Sequence, residues 1–261
     1  MWLTLDIGNS AAKGALFDGA VPKHVFHLAP TVPELADGTP AAWTNALQEK
    51  IGTPTVKGCG VASVVPAATD PACAALEKLT GTTPLRLRPS LALPIELAYE
   101  TPETLGADRI AAAIAAWLRH GDVADPPRSV IALDAGTALT YEVVRPPGVY
   151  EGGVIAPGLA LMQTALHQGT AQLPQVDLET IPDHPVGCST ASALQSGLLY
   201  GYLDGVAAMI NRIGDTLDEA PAVVVTGGHR SLIHAHVEAV EAVDPHLVLH
   251  GIRLLLAYQE G

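Results

Sequence analysis

A short pattern occurs twice in this chain of 261 residues, once near its start and once half a chain later. Residues 3–10 read LTLDIGNS, and residues 131–138 read IALDAGTA. In each copy an apolar run ends in Asp, any residue and Gly, and strand-forming residues follow at once, which predicts a strand, a tight turn and a second strand. Because Asp6 and Asp134 are 128 positions apart, about half the chain, the repeat predicts two similar domains that each open with this hairpin.

The rest of the chain alternates between helix-like and strand-like segments. Residues 110–118 and 191–213 are rich in Ala and Leu, whereas residues 56–65 and 222–226 read as strands, the second of them followed by Gly227-Gly228 and a helix through His236. This alternation indicates the α/β class. Because the polar, proline-containing stretch 120–128 is the best linker candidate, we expect one domain over residues 1–119 and a second over 120–261.

Composition and charge exclude several classes of protein. The formal net charge is −13 and no cluster of basic residues is present, which argues against nucleic acid and anionic membranes as partners. The charge does not exclude a nucleotide, because backbone amides and Mg²⁺ hold phosphates without many basic side chains. The three cysteines lack a CxxC spacing, no basic leader precedes the first apolar run, and no such run approaches the ~20 residues that span a bilayer. We therefore expect a cytoplasmic protein.

The two Asp-x-Gly turns are the first candidates for chemistry. A glycine after a strand brings backbone N–H groups close to a ligand oxygen, and Asn9, Ser10 and Thr137 add donors for phosphate. Each Asp fits better as a ligand of the Mg²⁺ that accompanies a nucleotide, because a carboxylate repels phosphate. An ordinary hairpin turn explains one copy as well, but two copies at half-chain spacing favour a pair of turns that hold a triphosphate. No GxxxxGK[ST] motif is present, and no GxGxxG follows the first strand.

Asp108 is the candidate base. Gly106 interrupts the chain just before an apolar helix, so Asp108 is expected in the first helical turn, where the helix dipole favours its ionised form by about 0.3–1 kcal/mol. One interpretation is a helix-capping residue. The other is a base that accepts a hydroxyl proton during phosphoryl transfer. Arg109 beside it orients a polar group of the substrate or forms a surface ion pair.

Several motifs in this order resemble those of the type III pantothenate kinases. The resemblance extends from residue 3 to about residue 254, and the Gly-Ala-Asp-Arg segment, the two Asp-x-Gly turns and the Gly-Gly-x-Ile-x-Pro-Gly segment are together specific. The matching segments are residues 6–13 (DIGNSAAK), 99–102 (YETP), 106–109 (GADR), 134–138 (DAGTA), 151–158 (EGGVIAPG), 170–174 (TAQLP), Ser189-Thr190 with Gly197, and 226–228 (TGG).

The resemblance implies an actin-like (ribonuclease H-like) fold with two related α/β domains, a mixed five-stranded sheet in each, and a nucleotide cleft between them. It also implies the transfer of phosphate from ATP to pantothenate, giving 4′-phosphopantothenate in the first step of coenzyme A synthesis. The implied cofactors are ATP with Mg²⁺ and a monovalent cation, K⁺ or NH₄⁺. The implied assembly is a homodimer, for which helices 110–118 and 191–210 are candidate interface elements.

The resemblance also implies a role for individual residues. Asp108 would be the catalytic proton acceptor and Asp134 the ligand of the monovalent cation, although the residues alone leave Mg²⁺ open for Asp134. ATP would be bound by Asp6, Ile7, Gly8, Asn9, Ser10, Ala11, Ala12, Lys13 and Thr137. Pantothenate would be bound by Tyr99, Gly106, Ala107, Asp108, Arg109 and Thr190.

The sequence departs from the family pattern at both turns. Leu139 stands where the family usually has a second Thr, and Ala11 and Ala12 stand where some members have polar residues. These departures keep open an alternative, a weakly active or inactive member that acts as a regulatory accessory factor. A sugar kinase of the same superfamily is a third hypothesis, which the GADR segment disfavours.

Overall fold

The computed structural model describes residues 1–28 and 39–261, and its first unit is built on a mixed five-stranded sheet. The strand order is β3-β2-β1-β4-β5, with β1 antiparallel to β2 and parallel to β4. The sheet packs on helices through a core that includes Leu5, Trp43 and Leu76. The strands are β1 (Trp2–Ile7), β2 (Ala12–Asp18), β3 (Val21–His27), β4 (Gly58–Ser63) and β5 (Leu85–Arg86), and the helices between them are α1 (Pro40–Ile51) and α2 (Pro66–Thr80).

The chain then forms a two-residue strand, β6 (Glu96–Leu97), and the helix α3 (Ala107–Ala116), which continues into a π-helical turn at Trp117–Gly121. Gly106 caps the start of α3 with extended backbone, so Asp108 lies in the first helical turn as predicted. Every residue from Ile110 to Trp117 is buried.

The second sheet repeats the strand order of the first. Its order is β11-β10-β7-β8-β9, extended beyond β9 by β6, and β7 is antiparallel to β8 and parallel to β10. The strands are β7 (Val130–Ala135), β8 (Ala138–Arg145), β9 (Val149–Pro157), β10 (Ala222–Gly227) and β11 (Ala242–Val243). The helices are α4 (Leu159–Gly169), α5 (Thr190–Gly214), α6 (Arg230–His236) and α7 (Leu247–Gln259). Both predicted hairpins, and the predicted α/β class with two related sheets, are confirmed.

The division into compact units differs from a single cut between residues 119 and 120, because each unit is built from separate stretches of the chain. The first unit contains residues 1–118, 148–150 and 246–261, and the second contains 119–147 and 151–245. The C-terminal helix α7 is therefore part of the first unit, where it packs on α3. Gly251 permits this packing, because a Cβ there would be 1.9 Å from the carbonyl oxygen of Ala111.

The burial of α3 corrects one expectation. An alanine-rich helix permits close approach of another helix, but the neighbour of α3 is α7 of the same chain, and residues 110–117 have no exposed face for a second subunit. Helix α5 does have an exposed face. Among the residues that the structure describes, no helix combines the length and apolar composition needed to cross a membrane.

Candidate active site

The first Asp-x-Gly turn joins β1 to β2. In the register of the two strands, Asp6 lies opposite Lys13. The Gly8 N–H donates to the carbonyl of Ala11 over 3.0 Å, and this hydrogen bond closes the turn. Asn9 and Ser10 are exposed at its tip. The side chains of Ile7 and Ala12 are buried in the core of the first unit, so these two residues can offer a ligand only their backbone.

The second turn joins β7 to β8 and is enclosed by glycine backbone. Gly158 donates its N–H to the Thr137 carbonyl over 3.1 Å, and a Cβ on Gly158 would be 2.3 Å from the Gly136 carbonyl oxygen. Gly227, with φ of +89°, comes so near to Asp134 that a Cβ there would be 2.5 Å from its Oδ1. Glycine at both positions therefore lets three segments meet around the turn that follows β7.

The start of α3 lies beside the first turn. The Val64 N–H donates to the Ile7 carbonyl over 3.1 Å, and a Cβ on Gly106 would be 3.4 Å from Val64 Cγ1. The Asp108 carboxylate lies against Gly106, since a Cβ on Gly106 would be only 2.6 Å from Asp108 Oδ1. The first unit thus brings the predicted phosphate turn and the predicted base together, with Val64 between them.

The protonation equilibrium of Asp108 depends on two opposing effects. Burial disfavours the carboxylate, whereas the Arg109 N–H, which donates to Oδ1 over 2.8 Å, and the Arg109 charge favour it. Burial is the larger effect and raises the pKa of Asp108 above its ordinary value of 3.8. The expected preference of the helix start for the ionised form is therefore outweighed by desolvation.

Two predicted substrate residues meet at a buried tyrosine. The Arg109 guanidinium donates from Nη2 to the hydroxyl oxygen of Tyr150 over 3.0 Å. The ring of Tyr99 lies 5.9 Å from that of Tyr150, centroid to centroid. Tyr99, Arg109 and Tyr150 all belong to the first unit.

A cavity of about 700 Å³ lies in the second unit, where β10 ends. Gly228 and His229 form one wall, and the acidic residues Asp177 and Glu179 lie in another. The rest of the lining combines apolar side chains, among them Val176, Leu178 and Leu232, with the polar Gln163, Ser231 and His236. The cavity therefore offers a mixed apolar and acidic surface.

Comparison with known proteins gives the family. A family model for type III pantothenate kinases matches residues 2–212. The type III pantothenate kinase of Chlorobaculum parvum is 39% identical over 264 residues, which cover 97% of this chain and 93% of that protein. That of Rhodospirillum centenum is 36% identical, with 98% and 97% covered. The chain belongs to the type III pantothenate kinase family.

Solved structures agree on the fold. A conserved Campylobacter jejuni protein assigned to the Baf family of transcriptional activators has a TM-score of 0.60 at 20% identity, over 99% of this chain and 98% of that one. The inorganic polyphosphate/ATP-glucomannokinase of Arthrobacter sp. strain KM has a TM-score of 0.51 at 13% identity, with the same coverage. At such low identity these likenesses show the fold alone, which is actin-like as expected.

Two further residues from the sequence analysis, Thr190 and Leu139, lie in the second unit. Thr190 is exposed in the first turn of α5, in the second unit, where Ser189 and Ser192 form a capping box. Leu139, which departs from the family pattern in the second turn, is buried in the core of the second unit.

The sequence analysis did not identify Tyr150. The only signal for it in the sequence is its place directly before the EGGVIAPG segment. Tyr202 was not identified either; it is a buried tyrosine whose pKa is raised by burial and further by Tyr141 and the Asp134 charge.

Replacing Asp108 with asparagine should stabilise the first unit near neutral pH. The raised pKa means that the ionised side chain costs folding free energy; this cost is absent below the unfolded-state pKa and is complete once pH has risen through the folded-state pKa. Asparagine carries no charge and can still accept from the Arg109 N–H. Urea unfolding followed by tryptophan fluorescence measures this unit, because Trp2, Trp43 and Trp117 all lie in it. We expect a higher midpoint for the variant at about pH 7 and a shrinking difference towards about pH 4; a lower midpoint at pH 7 would contradict the burial effect.

Proposed function

We propose that this chain transfers the γ-phosphoryl group of ATP to the 4′-hydroxyl of pantothenate, the first step of coenzyme A synthesis. Family membership supplies the reaction. The observation that carries the proposal is the position of Asp108, a carboxylate of raised pKa in the first turn of α3, beside the turn that follows β1.

Phosphoryl transfer does not require a strong base. In phosphoryl transfer the transition state is loose, so the acceptor hydroxyl loses its proton late and a positioned carboxylate suffices to accept it. Asp108 would take that proton on a carboxylate oxygen. Because burial raises its pKa above the ordinary value, the Asp108 carboxylate is a better proton acceptor than an exposed one.

Residues of the two turns would hold ATP. The exposed N–H groups and side chains of Asn9 and Ser10, together with Lys13 and Thr137, are suitable donors to phosphate oxygens. Gly8 would allow close backbone approach, and Asp6 would act as a ligand of Mg²⁺ bound to the phosphates, directly or through water. Ile7, Ala11 and Ala12 would contribute backbone contacts.

The Asp134 carboxylate suits a monovalent cation. Its Oδ1 lies in a cradle that a Cβ on Gly227 or Gly136 would crowd, at 2.5 Å and 3.4 Å respectively, and carboxylate and carbonyl oxygens are the donors that a hard cation prefers. A bound K⁺ or NH₄⁺ would supply positive charge at this carboxylate.

The acceptor and the nucleoside would occupy different surfaces. Pantothenate would contact Tyr99, the Gly106–Arg109 segment and Thr190. The nucleoside would lie in the 700 Å³ cavity beside Gly228, because its apolar side chains suit a base and its acidic side chains can accept hydrogen bonds from ribose hydroxyls.

The alternative of a regulatory accessory factor rested on Leu139 and on the alanines of the first turn. Leu139 and Ala12 are core residues, so their apolar character follows from packing and removes no polar group from the turn surfaces. Burial therefore accounts for Leu139 and Ala12, whereas Ala11 is exposed in the first turn and burial does not explain it.

An acceptor panel tests the proposal. ADP release is measured with Mg-ATP and K⁺ and with pantothenate, glucose or N-acetylmannosamine as acceptor, and the pantothenate reaction is repeated with NH₄⁺ and with Na⁺. We expect turnover with pantothenate alone among the acceptors, and more with K⁺ or NH₄⁺ than with Na⁺. Turnover with a hexose in place of pantothenate would favour the sugar-kinase alternative, and equal rates in Na⁺ would contradict the cation assignment.

The proposed active form is a homodimer that uses α5 and α4. Gly197, Gly201 and Gly205 follow one another at helical spacing on α5, and a Cβ at each would meet open space. Helix α4, which packs on α5, exposes Leu161 and Leu166. The open face at these glycines and the exposed leucines of α4 are the surfaces that we propose a second copy covers.

Arginine at position 201 should therefore separate the subunits. Its long charged side chain would occupy the close-approach position and leave a buried charge without a partner. Sedimentation equilibrium should give the mass of two chains for wild type and of one chain for Gly201→Arg, with circular dichroism unchanged. The control is Asn211→Arg, an exposed position of the same helix. A monomeric wild type, or a dimeric Gly201→Arg, would refute this interface.

A further inference from the structure

Tyr150 is a fully buried tyrosine whose hydroxyl accepts a hydrogen bond from a proposed substrate-binding residue. Its relative exposure is 0%, and its hydroxyl oxygen lies 3.0 Å from Arg109 Nη2. Its ring lies 5.9 Å from that of Tyr99 at an angle of 52°, a centroid separation at which aromatic rings attract each other. One side chain therefore contacts two residues of the proposed pantothenate surface.

The backbone of Tyr150 fixes the same surface. Strand β6 pairs with the start of β9 in the register Glu96 with Val149 and Leu97 with Tyr150. The Ala98 N–H donates to the Tyr150 carbonyl over 2.9 Å, so Tyr99 follows directly after the last hydrogen bond of this pairing. The position of Tyr99 is thus set by the backbone of Tyr150 as well as by its ring.

A hydrogen bond that orients the side chain before the substrate binds is especially useful for an arginine. Its side chain is long and has many rotamers, and ordering it when the substrate binds costs conformational entropy. A bond from Nη2 to a buried hydroxyl restricts the guanidinium before the substrate arrives, so less conformational entropy is lost on binding.

We propose that Tyr150 is a positioning residue for the acceptor substrate, which holds Arg109 in the orientation that meets an oxygen of pantothenate and keeps Tyr99 beside it. The proposal rests on the proposed function. It adds a residue that acts on substrate binding through Arg109 and does not touch the reacting atoms.

Tyr150→Phe removes the hydroxyl and keeps the ring. We expect the KM for pantothenate to rise about 5- to 30-fold, which corresponds to about 1–2 kcal/mol, with kcat and the KM for ATP within about three-fold of wild type. The matched control is Tyr200→Phe, which loses a bond to the Pro182 carbonyl of 2.7 Å in the second unit and should leave both KM values unchanged. A merely structural role for the Tyr150 hydroxyl would lower the Tm and change both KM values and kcat together.

A double-mutant cycle identifies Arg109 as the intermediary. If Tyr150 acts through Arg109, Tyr150→Phe adds nothing to the KM for pantothenate in an Arg109→Met background. Additive effects, or an unchanged KM in the single variant, overturn the proposal while the kinase assignment stands. A wild type without pantothenate-dependent turnover overturns both.

Discussion

Asp108→Asn is expected to lower kcat by about 10²–10⁴-fold, the usual contribution of a positioned base. The amide fits the place of the carboxylate at the start of α3 and can accept from the Arg109 N–H, but it cannot take the hydroxyl proton. Because Asp108 is not among the residues proposed to hold ATP, the Kd for Mg-ATP should stay within about three-fold of wild type. Steady-state ADP release and calorimetric titration with ATP measure the two quantities.

The control for this variant is Asp70→Asn, an exposed aspartate on α2 of the same unit that pairs with Arg86. It should leave kcat near wild type. The pH profile gives an independent signature, since the acid limb of kcat in wild type should lie above 3.8 and disappear with the carboxylate. An Asp108→Asn variant that keeps kcat within about ten-fold of wild type would show that another group takes the proton.

Gly251→Ala is expected to lower the free energy of unfolding of the first unit by about 3 kcal/mol. The added methyl would be 1.9 Å from the Ala111 carbonyl oxygen, and backbone atoms cannot rotate away as a side chain can. Helices α7 and α3 must therefore separate, and α3 carries Asp108 and Arg109 in its first turn, so kcat should fall too. Urea unfolding followed by tryptophan fluorescence measures the stability.

Gly214→Ala is the matched control, because it makes the same change in another helix where only Pro221 Cδ, at 4.0 Å, would be near the new methyl. Followed by circular dichroism, it should be neutral or should stabilise by up to about 1 kcal/mol, the difference in helix propensity. A Gly251→Ala variant as stable as wild type would contradict the tight packing of α7 on α3.

The sequence predicted those parts of the fold that are determined by residues close to one another along the chain. The Asp-x-Gly repeat predicted two related hairpins, and the glycine before Asp108 predicted the helix start, because strand alternation, turn glycines and helix caps are set by neighbouring residues. The attachment of α7 to the first unit depends instead on a contact between residues 111 and 251, and no local pattern indicates it.

The candidate site shows the same limit. Asp108 and Arg109 were found from their motif, but the pKa of Asp108 depends on burial that only the folded chain reveals, and the sequence argument from the helix dipole alone predicted the opposite balance. The sequence did not indicate Tyr150, because its partners Arg109 and Tyr99 are 41 and 51 positions away along the chain. The alanines of α3 were expected at a subunit interface, whereas they pack in the core of the chain itself.

The most direct test of the kinase assignment is the stoichiometry of product formation by the wild-type chain. With Mg-ATP, K⁺ and limiting pantothenate, ³¹P NMR should show one phosphomonoester on the 4′-oxygen of pantothenate for each ADP formed, and ADP formation should stop when pantothenate is consumed. ADP that accumulates at the same rate without pantothenate, or a complete mixture that yields no phosphomonoester, would contradict the account.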